Sequence, residues 1–236
     1  MAAAHVPRDA VHQVSHPGLD AAIAAECAGL GLDVPAAALP RLASYATSLW
    51  AWNERLNLTR HTEVATFVTR DVVDAAAIVP HLARGERVLD VGTGGGVPGA
   101  ILAILRPDLR VELSDSVAKK ARAVAEIVHE SGLDVPVHAG PAQALVAGRP
   151  AGPDRFDTLV VRAVAPLGKL LGWFAPIADA YGRMLVVKGP RWEEERDDAR
   201  LRGLTRQVTI RRVASWPIRG RDNESVLIEI QRRATS

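Results

Sequence analysis

The stretch Asp90-Val91-Gly92-Thr93-Gly94-Gly95-Gly96-Val97-Pro98-Gly99 sets four glycines within positions 92 to 96, after an apolar run and before a helical pattern. A turn between strand and helix is where open α/β sheets bind ligands. Glycine reaches positive φ and admits a ligand where a Cβ would block it, so Gly92, Gly94 and Gly96 read as the seat of a nucleoside cofactor. Asp90, at the strand end, would fix the loop amides or meet a polar group of that cofactor. Asp115 follows a second apolar run, 23 residues after Gly92, where a carboxylate can accept ribose hydroxyls. A dinucleotide site wants a small residue at the sixth position and a helix N-terminus open to pyrophosphate. Here Val97 adds bulk and Pro98 lacks an N–H, so the pattern favours S-adenosylmethionine over NAD.

Other chemistries find little support. No paired-carboxylate, Ser-His or Cys-His set stands at a recognisable spacing, and His61, His81 and His129 lack metal-ligand spacing. The single cysteine, Cys27, can form neither an internal disulfide nor a Cys-rich zinc site, so no metal and a reducing compartment are expected. The longest uninterrupted apolar run, Ala100 to Leu105, falls far below the roughly 20 residues of a membrane span. The first residues lack the apolar segment of a secretory signal, and a cytoplasmic address is the expectation. Of 29 cationic residues only Lys119, Lys120, Lys169 and Lys188 are lysines; the rest are arginines. Arginine-rich surfaces suit nucleic acid, but a GC-rich genome gives the same bias and the net charge is only +2, so charge does not decide.

The elements that must position these residues follow from periodicity. With 236 residues, 48% hydrophobic and 24% charged, the chain is long enough for one full domain and a small appendage. Residues 1–18 have no periodicity and are expected to be unstructured; 19–84 form a helical cap, with helices over 19–30, 36–58 and 62–82. Residues 85–236 alternate strand and helix. Strands are predicted at 87–91, 110–114, 135–139, 156–161 and 184–187, and helices from Pro98 through Leu105 and over 116–131, 167–180 and 193–200. Residues 208–213 and 226–230 predict a hairpin at the sheet edge. Lys119, Lys120 and Arg122 read as a solvated helix face, and Trp50 and Trp52 as core on a helical stripe.

An ordered set of motifs resembles the RsmG (GidB) family, which makes N7-methylguanosine in bacterial 16S ribosomal RNA. The set is Trp52-Asn53 with Asn57-Leu58-Thr59, Arg70 with Asp74, the turn from Gly92 to Gly99, Asp115-Ser116 with Lys119-Lys120, Arg162-Ala163-Val164-Ala165, and Lys188-Gly189. The resemblance implies a class I S-adenosylmethionine-dependent methyltransferase: a Rossmann-like seven-stranded α/β sheet with an antiparallel edge hairpin and a small N-terminal helical cap. It implies cofactor contacts at Gly92, Val97, Ala142, Gln143 and Arg162, with Asp115 as the ribose carboxylate. It also implies 16S RNA or the 30S subunit as partner, with no membrane and no metal. Guanine N7 exposes a lone pair, so transfer needs in-line placement and no general base. Arg162 and Lys188, at strand ends, are expected to orient the substrate. Asp71, Ala75, Gln143 and Glu224 depart from the family pattern, which usually has histidine at 71, serine at 75, glutamate at 143 and an arginine near 224. Two other readings keep the fold: a methyltransferase acting on a small molecule or protein, marked by an apolar pocket and no basic rim, and a non-catalytic ribosome-assembly factor.

Overall fold

The computed structural model describes residues 18–149, 152–220 and 222–233. The stretch expected to be unstructured, 1–18, lies outside these residues except for Gly18. Among the described residues no helix is long and apolar enough to cross a membrane.

α1 (Leu19–Gly29) and α2 (Leu39–Leu56) bury apolar stripes; on α2 the stripe is Leu42, Ala43, Tyr45, Ala46 and Leu49. α2 stops at Asn57, whose left-handed φ of 45° turns its N–H onto Asn53 O at 3.3 Å. The helical pattern expected over 62–82 is not one regular helix. It runs as α3 (Val64–Thr66), a π-helical stretch Phe67–Val72, α4 (Val73–Ile78) and a 3-10 turn Val79–His81. This widened helix buries two aspartates, Asp71 and Asp74, beside Phe67, Val68, Val72 and Ile78.

The sheet has seven strands in the order β3-β2-β1-β4-β5-β7-β6. These are β1 (Arg87–Val91), β2 (Arg110–Asp115), β3 (Val137–Ala139), β4 (Phe156–Arg162), β5 (Tyr181–Lys188), β6 (Val208–Pro217) and β7 (Glu224–Arg232). β1 to β5 pair in parallel, and β7 pairs antiparallel with both β5 and β6. The hairpin is therefore seated with its second strand inside the sheet and β6 at the edge, interrupted by a register shift between Arg212 and Ala214. This is the class I methyltransferase sheet.

Both faces are covered, so the central strands are apolar on both sides. Val88, Val160, Leu185 and Leu227 face a core shared with the cap, α5 (Gly99–Leu105) and α6 (Ala118–Glu130). Leu89, Leu159, Val161, Met184 and Ile228 face α7 (Ala142–Ala147), α8 (Leu167–Phe174) and α9 (Trp192–Leu201). The short helix α7 has no counterpart among the predicted elements, since six residues are too few to show a period. β3 starts two residues later than expected because Pro136 has no N–H to pair, although its carbonyl still accepts from Leu113 N at 2.9 Å. α8 ends at Phe174, where Pro176 converts the predicted continuation into a 3-10 segment, Ala175–Ala180. After β1 the chain builds outward through β2 and β3, then returns to β4 on the other side of β1. The crevice at this reversal, beyond the carboxyl ends of β1 and β4, is where the functional residues gather.

Candidate active site

The β1–α5 turn is held from beneath by Asp90. Its Oδ2 accepts from Thr93 Oγ1 at 2.5 Å and from Gly99 N at 2.9 Å, and the residue is 1% exposed. Burial pushes this carboxyl up to about pKa 6, against the lowering effect of the Thr93 and Gly99 hydrogen bonds. Of the two roles the sequence leaves open for Asp90, fixing the loop or meeting the cofactor, the structure shows the contacts of the first: its side chain bonds Thr93 and Gly99, and it does not line the cleft. Gly96 also serves packing, since a Cβ there would stand 2.9 Å from Tyr45 Oη. That same hydroxyl donates to Gly95 O at 2.8 Å and ties the cap to the turn.

On its open side the turn faces a cleft of about 720 Å³, a volume within the usual range for small-molecule sites. Gly92, Gly94, Val97, Asp115 and Arg162 of the predicted site line it together with Thr93, Gly95, Ala163 and Lys120. At Gly94 φ is 61° and a Cβ would meet nothing within 4 Å, so the backbone there fronts empty space. Gly92 is needed for close approach, because a Cβ would fall 2.7 Å from Val164 Cγ2. Asp115 accepts from Gly94 N at 3.0 Å through Oδ2 and from Val117 N at 2.8 Å through Oδ1. Each carboxylate oxygen has a further lone pair, so Asp115 can also accept hydroxyls from the cleft. An open backbone beside a fixed, accepting carboxylate fits the ribose and methionine portions of S-adenosylmethionine.

Arg162, at the end of β4, is clamped between two buried aspartates of the cap. Nη1 reaches Asp71 Oδ1 at 2.7 Å and Nε reaches Asp74 Oδ2 at 2.8 Å. Burial pushes the Asp74 carboxyl up, opposed by Arg162 and by the hydrogen bond from Trp216 Nε1, 2.9 Å from Asp74 Oδ1. His61 Nδ1 lies 2.8 Å from the Asp71 oxygen that Arg162 holds. This cluster joins the cap, β4 and β6, and through Asp71, Arg162 and His61 it forms one wall of the cleft. Asn57, Leu58, Thr59, Arg60 and His61 complete that wall.

The remaining predicted residues stand elsewhere. Lys188 was expected to orient substrate, but its Nζ is bound to Ala165 O at 2.8 Å and to Glu195 Oε2 at 2.6 Å, behind the β4–α8 loop. A buried ammonium must be paired, and Glu195 on α9 supplies the partner. Ala142 and Gln143 begin α7; Ala142 packs in the second core and neither lines the cleft. The β3–α7 loop is nevertheless tied to the site, because Gly140 N donates to Asp115 O at 2.9 Å. Sequence reasoning left His61 without a role and read Lys120 as a solvated face, yet both border the cleft. The motif Asn57-Leu58-Thr59 and the strand-end Arg162 marked that wall in the sequence, but neither pointed to His61. Among the described residues no three His, Cys, Asp or Glu side chains are grouped to hold a metal ion.

Residues 38–218 match the sequence model of the GidB family, described as rRNA small subunit methyltransferase G. The chain belongs to this family. A GidB relative from Rhodopirellula baltica, named ribosomal RNA small subunit methyltransferase G, is 44% identical over 190 residues, 80% of this chain and 79% of the relative. A relative of the same name from Sorangium cellulosum is 36% identical over 193 residues, 80% of each chain. Solved structures share the GidB fold at low identity. The METTL16 MTase domain has 13% identity and a TM-score of 0.53, covering 81% of this chain and 79% of that one. An MtNAS variant in complex with S-adenosylmethionine has 17% identity and a TM-score of 0.50, covering 80% and 71%.

Proposed function

We propose that this chain transfers the methyl group of S-adenosylmethionine to N7 of a guanine in 16S ribosomal RNA, either free or within the 30S subunit, in the cytoplasm. The observation that carries the reading is the convergence of the glycine turn, Asp115 and Arg162 on one cleft, in a chain of the GidB family. The cleft mixes polar and apolar lining, and the cations Arg60 and Lys120 on its border favour a nucleic-acid acceptor over a small apolar one. The open turn and the available Asp115 favour a working enzyme over a non-catalytic assembly factor.

When bound, S-adenosylmethionine supplies an electrophilic methyl group on a sulfonium. The protein contributes placement. Gly94 leaves room for the cofactor, Asp115 accepts its ribose hydroxyls, and Val97 borders the same cavity. Arg162, immobilised by Asp71 and Asp74, lines the cleft and orients the acceptor. No residue need take a proton, because N7 attacks through a lone pair and carries none. Lys188 acts through Ala165, holding the loop that presses Val164 against Gly92. The cap, residues 19–84, closes one side of the cleft of the methyltransferase domain, residues 85–236.

The test is transfer of labelled methyl from S-adenosylmethionine to 30S subunits lacking the modification, with the product nucleoside identified by mass spectrometry. N7-methylguanosine in 16S RNA is expected, and Gly94→Val should abolish both transfer and calorimetric cofactor binding. Cofactor binding without transfer to 30S or to free 16S RNA would overturn the reading.

A further inference from the structure

The loop from α2 to α3 is fixed far more tightly than a connector requires. Asn53 Oδ1 accepts from Thr59 N at 2.8 Å, and Thr59 Oγ1 accepts from His61 N at 3.0 Å. Trp50 Nε1 donates to His61 O at 2.8 Å. Both backbone groups of His61 are thus held, one by the loop and one by α2. The ring is held too, with Nδ1 2.8 Å from Asp71 Oδ1. The Asp71 side chain is 2% exposed, and the same oxygen already accepts from Arg162 Nη1, a group that can only donate. Nδ1 therefore donates, and with the ring proton held there Nε2 presents its lone pair on the far side of the ring. No contact among the described residues engages Nε2, and His61 lines the cleft with its side chain 24% exposed.

We propose that His61 contacts the acceptor nucleotide, with its Nε2 accepting an N–H from the edge of the target base remote from N7, and that Asp71 positions the ring for this. The inference rests on the RNA guanine-N7 reading above. If N7 faces the cofactor, the opposite edge of guanine presents donors at N1 and N2, and the wall that meets it needs acceptors. Adenine carries no donor at N1, so such an acceptor also favours guanine. The same carboxylate oxygen fixes His61 and Arg162, so the two groups that meet the base are aligned by one anchor.

Two isosteric replacements separate contact from scaffolding. In His61→Asn the amide replaces Nδ1 and keeps the Asp71 bond, but nothing replaces Nε2. In His61→Gln the amide reaches the place of Nε2 and gives up the Asp71 bond. Methyl transfer to 30S subunits lacking the modification gives kcat and KM, and calorimetry gives S-adenosylmethionine affinity. The expected order is wild type, then His61→Gln within about threefold, then His61→Asn with kcat/KM at least about tenfold lower, the loss of one hydrogen bond. Cofactor affinity should stay within about twofold in both. A scaffolding role predicts the reverse order, with His61→Asn close to wild type, and that result overturns the proposal, as does a parallel loss of cofactor affinity. Wild-type protein that binds cofactor but transfers nothing overturns the underlying reading and this inference with it.

Discussion

At the scale of single residues, Asp90 has the most distinctive electrostatics. Its folded-state pKa of about 6 exceeds the ordinary carboxylate value because burial penalises the charge, and the two hydrogen bonds it accepts offset this only in part. The folded protein therefore binds this proton more tightly than the unfolded chain. The stability Asp90 contributes is fully present below pH 4 and is lost as pH rises through about 6. Asp90→Asn, whose amide oxygen can still accept from Thr93 and Gly99, should remove that dependence. Unfolding free energies of wild type and variant from urea titrations across pH 3.5 to 7.5 should converge at the acid end and diverge in the variant's favour at neutral pH, by up to about 3 kcal/mol. Parallel profiles would show that the carboxyl does not titrate in this window.

At the scale of elements, the β4–α8 loop is the part most dependent on a distant partner. Ala163 has a φ of 54°, Val164 presses on Gly92, and Ala165 O is held by Lys188, which Glu195 of α9 holds in turn. Glu195 Oε2 also accepts from Leu167 N at 2.7 Å, at the start of α8. If Lys188 works through this loop, Lys188→Gln and Glu195→Gln should behave alike. Both should lose about 1–3 kcal/mol of stability, because Lys188→Gln withdraws the ammonium from Ala165 O and Glu195→Gln takes the counter-charge from the largely buried Lys188. Both should also weaken cofactor binding. Equilibrium unfolding and calorimetry on the pair check this. A direct substrate role for Lys188 would separate them, with kcat falling in Lys188→Gln alone.

At the scale of the whole molecule, a net charge of +2 gives little long-range attraction for RNA, so binding must draw on local cations. Arg60 and Lys120 lie on the cleft border, where a phosphate backbone entering with its base would pass. The logarithm of kcat/KM on ribosomal substrate should fall with the logarithm of salt concentration. Arg60→Gln should reduce that slope by about 0.7 to 0.9, the release of one counterion, while cofactor affinity stays unchanged. A slope identical to wild type would remove Arg60 from the RNA path.

The sequence by itself determined the strand-turn-helix unit, the alternation of strands and helices, the terminal hairpin and the family. These are local patterns: a glycine cluster after an apolar run, periods of two and of about 3.6, and short motifs in a fixed order. The glycine-turn side of the cleft was legible for the same reason, since Gly92, Gly94 and Val97 follow the end of β1 and Asp115 ends β2, strands whose direction follows from parallel pairing. Which way a side chain turns at such an end was not legible. Asp90 is aimed under the loop by Thr93 and Gly99, and Lys188 is captured by Glu195 from a helix whose packing no short pattern encodes. The acceptor wall lay furthest from reach. Asp71 and Arg162 are 91 residues apart and meet only because the cap folds over the sheet where β4 returns beside β1. Only the tertiary structure, by burying that arginine between two aspartates of the cap, turned His61 from an unassigned residue into part of the site.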